Sequence, residues 1–172
     1  MPAIAHIGIG FAAKKVVPSV SVIILIVAAE LIEIIFMILW GFGIEHPLSE
    51  PGAPFSPYSH SILFGVLWSV LAGLLTHVIS KKTRISWIIG LLVFSHTILD
   101  LIASPKLAFY PNDTGLPLLF DYTYTYGLGL WKNKIVAGIG EIGILVAGII
   151  IFIMTIRKKR AESLKIKGTS KN

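Results

Sequence analysis

The chain has 172 residues, of which 55% are hydrophobic and 14% are charged, and its mean hydropathy is +0.82. A soluble domain of this size has too large a surface for its volume to bury so much apolar area, so the composition indicates a single-domain integral membrane protein. There is no cysteine, which excludes disulfides, thiolate nucleophiles and cysteine-ligated zinc. The net charge is +6, and the basic residues are clustered. Their placement indicates a role in orienting the protein in a membrane rather than in binding nucleic acid.

The first apolar stretch, IAHIGIGFAA at 4–13, is followed directly by Lys14 and Lys15. It is too short to cross a bilayer, which takes about 20 helical residues. It also lacks the charged segment and the cleavage site of a signal peptide. Pro18 separates it from the next apolar run, because proline cannot continue a helix from within. We therefore predict an N-terminal helix that is half inserted or re-entrant.

Longer apolar runs follow, each long enough to span the hydrocarbon core of a membrane. The predicted spans are Val20–Phe42, Ser59–Ser80, Ile85–Ala103 and Ile135–Ile156. The sequence thus predicts an all-α bundle of four transmembrane helices plus the half-inserted helix. We assign 1–160 to this membrane-embedded domain and 161–172 to a basic cytoplasmic tail.

Basic residues predict the orientation of the spans. They cluster before the first span, between the second and third at 81–84, and after the fourth as RKKR at 157–160. The 43–58 loop has none, and 104–131 has only Lys106. The positive-inside rule then places the three clusters in the cytoplasm and both long loops outside a multi-pass protein of the cell membrane.

Several ionisable side chains lie within the apolar segments, where each costs about 2.5–3.5 kcal/mol on insertion scales and marks a functional site by default. With a rise of 1.5 Å per residue, most of them fall between the bilayer midplane and the outer leaflet. One of them, His60, comes out higher, about 31 Å from Lys81, unless its helix is tilted or extends past the interface. The set consists of His6, Glu30, Glu33, His60, His96, Asp100 and Glu141.

The spacing within this set suits a metal ion. Glu30 and Glu33 are three residues apart, and His96 and Asp100 are four apart, so each pair shares one helix face. Histidine nitrogen and carboxylate oxygen together are suitable ligands for Zn²⁺ or a similar divalent ion. The same groups are also compatible with a proton or cation pathway, or with buried hydrogen-bonded pairs. For Glu141 we favour a hydrogen bond across the bundle over a role behind the metal ligands.

With these residues identified, the chain resembles the bacterial and archaeal membrane-bound metal-dependent hydrolases. The matching stretches are AHIGIGFAAKK, AAELIEIIF, PYSHSILFG, SHTILDLI and GLGLW. The resemblance implies a helical membrane bundle with metal ligands at His6, Glu33 (with or without Glu30), His60, His96 and Asp100. The HxxxD helix is also similar to that of zinc-dependent phospholipase C and P1-type nucleases, which favours phosphoester substrates. The HxxxD motif by itself indicates similarity of fold and does not identify an active site.

The leading hypothesis is a membrane-embedded metal-dependent hydrolase holding zinc, with Glu30 as general base or bridging ligand. Ser59, Ser61 and Ser95 are candidates for orienting substrate or water. A site that opens outward at leaflet depth predicts a lipid or lipid-linked substrate. The rival hypotheses are a small proton- or cation-coupled transporter and a non-catalytic membrane scaffold. The sequence does not determine the substrate, the metal or the oligomeric state.

Overall fold

The computed structural model describes residues 4–45, 57–103 and 127–169, which form helices joined by turns, with no strand in these ranges. The all-α prediction is therefore confirmed. Most of the two predicted outer loops lies outside the described residues, as does the end of the basic tail. The helices are α1 (Ala5–Ala13), α2 (Val22–Ala29), α3 (Leu31–Gly41), α4 (Pro57–His60), α5 (Ile62–Ser80), α6 (Thr83–Ala103) and α7 (Lys134–Thr169), with a short 3₁₀ turn at Leu130–Lys132 before α7.

Helices α5, α6 and α7 are long and apolar enough to cross a membrane. The predicted first span is two helices, α2 and α3, which meet at Glu30 with a bend of 59°. The structure thus holds three candidate spans, or four when the bent pair counts as one. Helix α7 also continues past the RKKR cluster into the segment that we predicted as a separate tail.

The core lies between α2, the start of α3 and α6, where Leu25, Ile32 and Val93 are among the fully buried apolar residues. By contrast, large apolar side chains cover the outer face of α5, and Ile79 there is 75% exposed. An apolar surface on a long helix is the pattern expected of a helix that faces lipid.

Helix α1 packs in parallel against α7. The amide of Ala5 contacts Glu141, and the ring of Phe11 lies 5.3 Å from that of Phe152. The two backbones touch at Gly8 and Gly148. A Cβ added at Gly8 would lie 2.7 Å from the Cα of Leu145, and a Cβ added at Gly148 would lie 2.8 Å from the Cα of Gly8. Small residues at such a crossing let helices approach closely.

The three basic clusters meet at one end of the bundle, on the turn that joins α1 to α2. Arg84 and Lys159 donate to backbone carbonyls within 16–20 at 3.2 and 2.9 Å, and Lys14 donates to a third. The predicted topology also places these three clusters on one side of the membrane, and that orientation stays a prediction.

Candidate metal centre

Five of the predicted residues converge on one small volume. The chain brings them together from α1, α3, α4 and α6, so that segments far apart in sequence each supply a ligand atom. They are His6, Glu33, His60, His96 and Asp100, and all except Glu33 are buried. The Glu33 side chain is 37% exposed and is the open edge of the cluster.

Four of these atoms form a compact cage. His60 Nε2 lies 3.2 Å from Glu33 Oε2 and 3.8 Å from Asp100 Oδ2. On the other side, His96 Nε2 lies 3.9 Å from Glu33 Oε2 and 3.5 Å from Asp100 Oδ2. Ligands at about 2.0–2.2 Å from a tetrahedral zinc ion are separated by about 3.3–3.6 Å. Four of the six separations within this set therefore lie close to that range, and the cluster offers donors suitable for a divalent ion.

His6 extends the cluster on the side of α1. Its ring stacks on that of His96, with centroids 3.7 Å apart and planes 6° from parallel. Its Nε2 lies 3.9 Å from Asp100 Oδ1. The candidate ligand atoms thus fall into two groups of three that share His96: His6, His96 and Asp100, and Glu33, His60 and His96.

Asp100 belongs to the first group and also lies near His60 of the second, because Oδ2 faces His60 and His96 while Oδ1 faces His6. The Oδ1 atom is buried and accepts no hydrogen bond from the described residues. A buried carboxylate oxygen without a donor is costly, and a bound cation would compensate it. This is a second reason why the site suits a metal.

The break between α2 and α3 orients His96. Ala29 is the last residue of α2, and the carbonyls of a last turn lack partners within their own helix. His96 Nδ1 lies 3.0 Å from the Ala29 carbonyl oxygen, which can only accept, so Nδ1 carries the proton. The lone pair of Nε2 then faces Glu33 and Asp100, which is the tautomer that a metal ligand requires.

Glu45, a residue that the sequence analysis missed, contacts the segment that carries His60. The Ser59 hydroxyl donates to Glu45 Oε2 at 2.6 Å and lies 2.7 Å from His60 Nδ1. Glu45 is fully buried, and its Oε1 accepts from the amides of Tyr58 and Ser59 at 2.7 and 3.0 Å. Glu45 follows the predicted end of the first span, so the depth estimate along the helix never included it.

The other predicted serines make local contacts. The Ser61 hydroxyl accepts from the amide of Phe64 and caps α5, and the Ser95 hydroxyl donates to the Leu92 carbonyl within α6. Of the three predicted serines, Ser59 is the one whose hydroxyl contacts a cluster histidine. Glu30 lies at the α2–α3 break, outside both three-residue groups, with a buried Oε1 that accepts no hydrogen bond in the described ranges.

Glu141 holds the start of α1. Its Oε2 accepts from the amides of Ile4 and Ala5 at 3.0 and 2.9 Å, and its Oε1 accepts from the Trp131 indole at 3.1 Å. These hydrogen bonds cross the bundle, as we favoured, and they satisfy amides that a helix start leaves without partners. His6 lies in the first turn of α1, so Glu141 also fixes the position of that histidine.

Replacing Glu141 with alanine is expected to lower the free energy of unfolding by about 1.5–3 kcal/mol, the usual worth of hydrogen bonds to a charged group. Thermal unfolding in detergent measures the change. The matched control is Glu162→Ala, which removes an exposed carboxylate from the same helix and should shift stability little. Equal destabilisation by both variants would contradict the capping role.

An apolar cavity of about 470 Å³ between α5 and α6 is separate from the cluster. Its lining includes His77, Trp87 and Phe94, and none of the five candidate ligands contributes to it. The cluster itself is therefore the site that the chemistry points to.

No protein-family model matches this chain, and neither a curated protein nor a solved structure shows significant similarity to it. The resemblance to metal-dependent hydrolases, and the activity it implies, stay predictions.

Proposed function

We propose that this chain is a membrane-embedded metal-dependent hydrolase that acts on a phosphoester or other ester of a lipid or lipid-linked substrate. The observation that carries the proposal is a cluster in which two histidine nitrogens each lie 3.2–3.9 Å from two carboxylate oxygens, with every member buried except Glu33. The mixed nitrogen and oxygen donors favour zinc over magnesium or calcium, which prefer oxygen alone.

In the proposed mechanism, Glu33, His60, His96 and Asp100 would hold the metal, and His6 would support Asp100 and His96 from α1. A divalent ion there would supply Lewis acidity towards the scissile ester group and towards water. Glu30 lies three residues before Glu33, at the break between α2 and α3. We assign it to accept a proton from the attacking water and to pass that proton to the oxygen that leaves when the ester bond breaks. The buried histidines exclude bulk solvent from one side of the reaction.

The surroundings of Glu33 support a substrate that comes from the lipid phase. Glu33 is the most exposed member of the cluster, and on the same helix Ile34, Met37 and Ile38 expose apolar side chains. A substrate that approaches Glu33 from this side would pass over these apolar side chains. We further propose that the basic end of the bundle is cytoplasmic and that the site opens towards the outer leaflet of the cell membrane.

The test compares the wild type with Glu30→Gln, assayed on synthetic phosphodiesters and on phospholipids in mixed micelles. The wild type is expected to contain zinc and to lose hydrolysis on chelation. Glu30→Gln should keep its metal and lose about 10²–10⁴-fold in kcat, the usual contribution of a general base. Metal content is measured by elemental analysis, and Glu162→Gln, an exposed acid on α7, is the control.

Hydrolysis that is absent, or that survives chelation, would contradict the proposal. Flux driven by a pH gradient in proteoliposomes, without tightly bound transition metal, would instead support the transporter hypothesis.

A further inference from the structure

The buried carboxylate of Glu45 is not a candidate ligand, but it accepts three hydrogen bonds from the segment that carries His60. Two are hydrogen bonds from the first backbone amides of α4, and the third comes from the Ser59 hydroxyl. Burying a carboxylate is costly unless donors compensate it, and here three donors do so. The arrangement fixes both the backbone of α4 and one hydroxyl beside the imidazole.

The direction of the hydrogen bonds follows from the groups involved. A carboxylate only accepts, so the Ser59 hydroxyl proton points to Glu45 Oε2. The Ser59 oxygen can then only accept from His60 Nδ1, 2.7 Å away, which must carry the imidazole proton. The lone pair of Nε2 is left facing Glu33 and Asp100.

We propose that Glu45 is a positioning residue that fixes the tautomer of His60 through Ser59, so that Nε2 is available as a ligand atom. The consequence for metal binding rests on the proposed function, whereas the tautomer itself does not. A negatively charged group behind a ligating imidazole also makes that ligand more basic.

His96 provides an internal comparison. Its Nδ1 proton goes to the backbone carbonyl of Ala29, an acceptor that no side-chain substitution reverses. The two histidines of the cage are thus held in the same tautomer by independent partners. A change at Glu45 should alter His60 and leave His96 as it is.

Glu45→Gln is the decisive variant. It should reverse the direction of the hydrogen bonds that link Glu45, Ser59 and His60 while keeping the shape of the side chain. The glutamine carbonyl must face the amides of Tyr58 and Ser59, since its NH₂ group would meet two donors there. Its NH₂ group then donates to the Ser59 oxygen, so the Ser59 hydroxyl turns to donate to His60 Nδ1. The imidazole proton is expected to move to Nε2, where it blocks the ligand position.

The experiment records ¹⁵N chemical shifts of the histidine rings in the metal-free protein, and then titrates zinc. In the wild type we expect Nδ1–H for both His60 and His96; in Glu45→Gln only His60 should change to Nε2–H. Zinc affinity should fall about 10–100-fold, as is usual when the partner of a ligating histidine is lost. Ser59→Ala should also release the tautomer of His60, whereas Ser69→Ala, which removes a buried hydroxyl bonded within α5, should change neither readout.

An unchanged His60 tautomer in folded Glu45→Gln would overturn the inference, whether or not the protein binds zinc. If the tautomer changes as expected but the wild-type protein takes up no metal, the role of Glu45 in fixing the His60 tautomer is supported and the proposed function is contradicted. A circular-dichroism spectrum with wild-type helix content establishes that the variant is folded.

Discussion

Replacing Asp100 with asparagine is expected to lower zinc affinity by more than 100-fold. The two oxygens of Asp100 face three histidines, so the change removes the charge that is common to both halves of the cluster. Loss of a partner behind a metal ligand already costs about 10–100-fold, and a direct ligand should cost more. Elemental analysis and zinc titration of the purified variant measure the effect.

The same variant separates metal loss from unfolding. Without metal, Asp100→Asn should be as stable as the wild type or more so, because an ionised group buried in the bundle is replaced by a neutral one of similar size. With zinc at 100 times its Kd, the wild type should gain about 2.7 kcal/mol and the variant almost nothing. Thermal unfolding with and without zinc distinguishes the two effects, with Glu162→Gln as control.

Equal zinc content and equal zinc-dependent stabilisation in wild type and Asp100→Asn would show that the cluster is not a metal site. The buried carboxylates and histidines would then be a hydrogen-bonded core or part of a proton path.

Replacing Gly148 with alanine is expected to destabilise the bundle by about 1–3 kcal/mol or more, the usual cost of overpacking a rigid contact. The new methyl group would meet the backbone of Gly8, which has no side chain that could move aside. Helix α1 would have to shift away from α7, carrying His6 out of its stack on His96. We therefore expect lower thermal stability and weaker zinc binding together.

The control for this prediction is Gly143→Ala in the same helix, where an added Cβ meets nothing within 4 Å. Alanine is the better helix former by about 1 kcal/mol, so this variant should be neutral or slightly stabilised. If the two variants behave alike, the contact between α1 and α7 does not control the position of His6.

The sequence predicted much of the site because depth in a membrane can be counted along a helix. The basic residues gave a common starting level, and the rise per residue placed His6, Glu33, His96 and Asp100 in one layer. The structure brings these four together. His60 lay higher on that estimate because we counted from Lys81 along one straight helix, whereas α5 begins at Ile62 and His60 belongs to the separate helix α4.

Two features could not be found in this way. Proline and glycine are the usual causes of a sharp kink, but neither occurs at the bend at Glu30. The contact of His96 with the Ala29 carbonyl joins two helices and cannot be read from either one alone. Glu45 contacts a serine 14 positions later in the chain, so neither helical nor strand periodicity relates the two. Local patterns thus identified the candidate ligands but not the residues that contact them from behind.

The parallel packing of α1 on α7 has a consequence for the synthesis of the protein. Ala5 and Glu141 are 136 positions apart, so the ribosome must complete most of the chain before the partner of α1 exists. Until then, the amides at the start of α1 lack the carboxylate of Glu141, although the His6 ring can already stack on His96 of α6. The residues that we propose as metal ligands are all made before α7, whereas the hydrogen bonds from Glu141 that hold the start of α1 form last. Under the proposed function, we therefore expect the contact of His6 with the cluster to become fixed only after α7 is made.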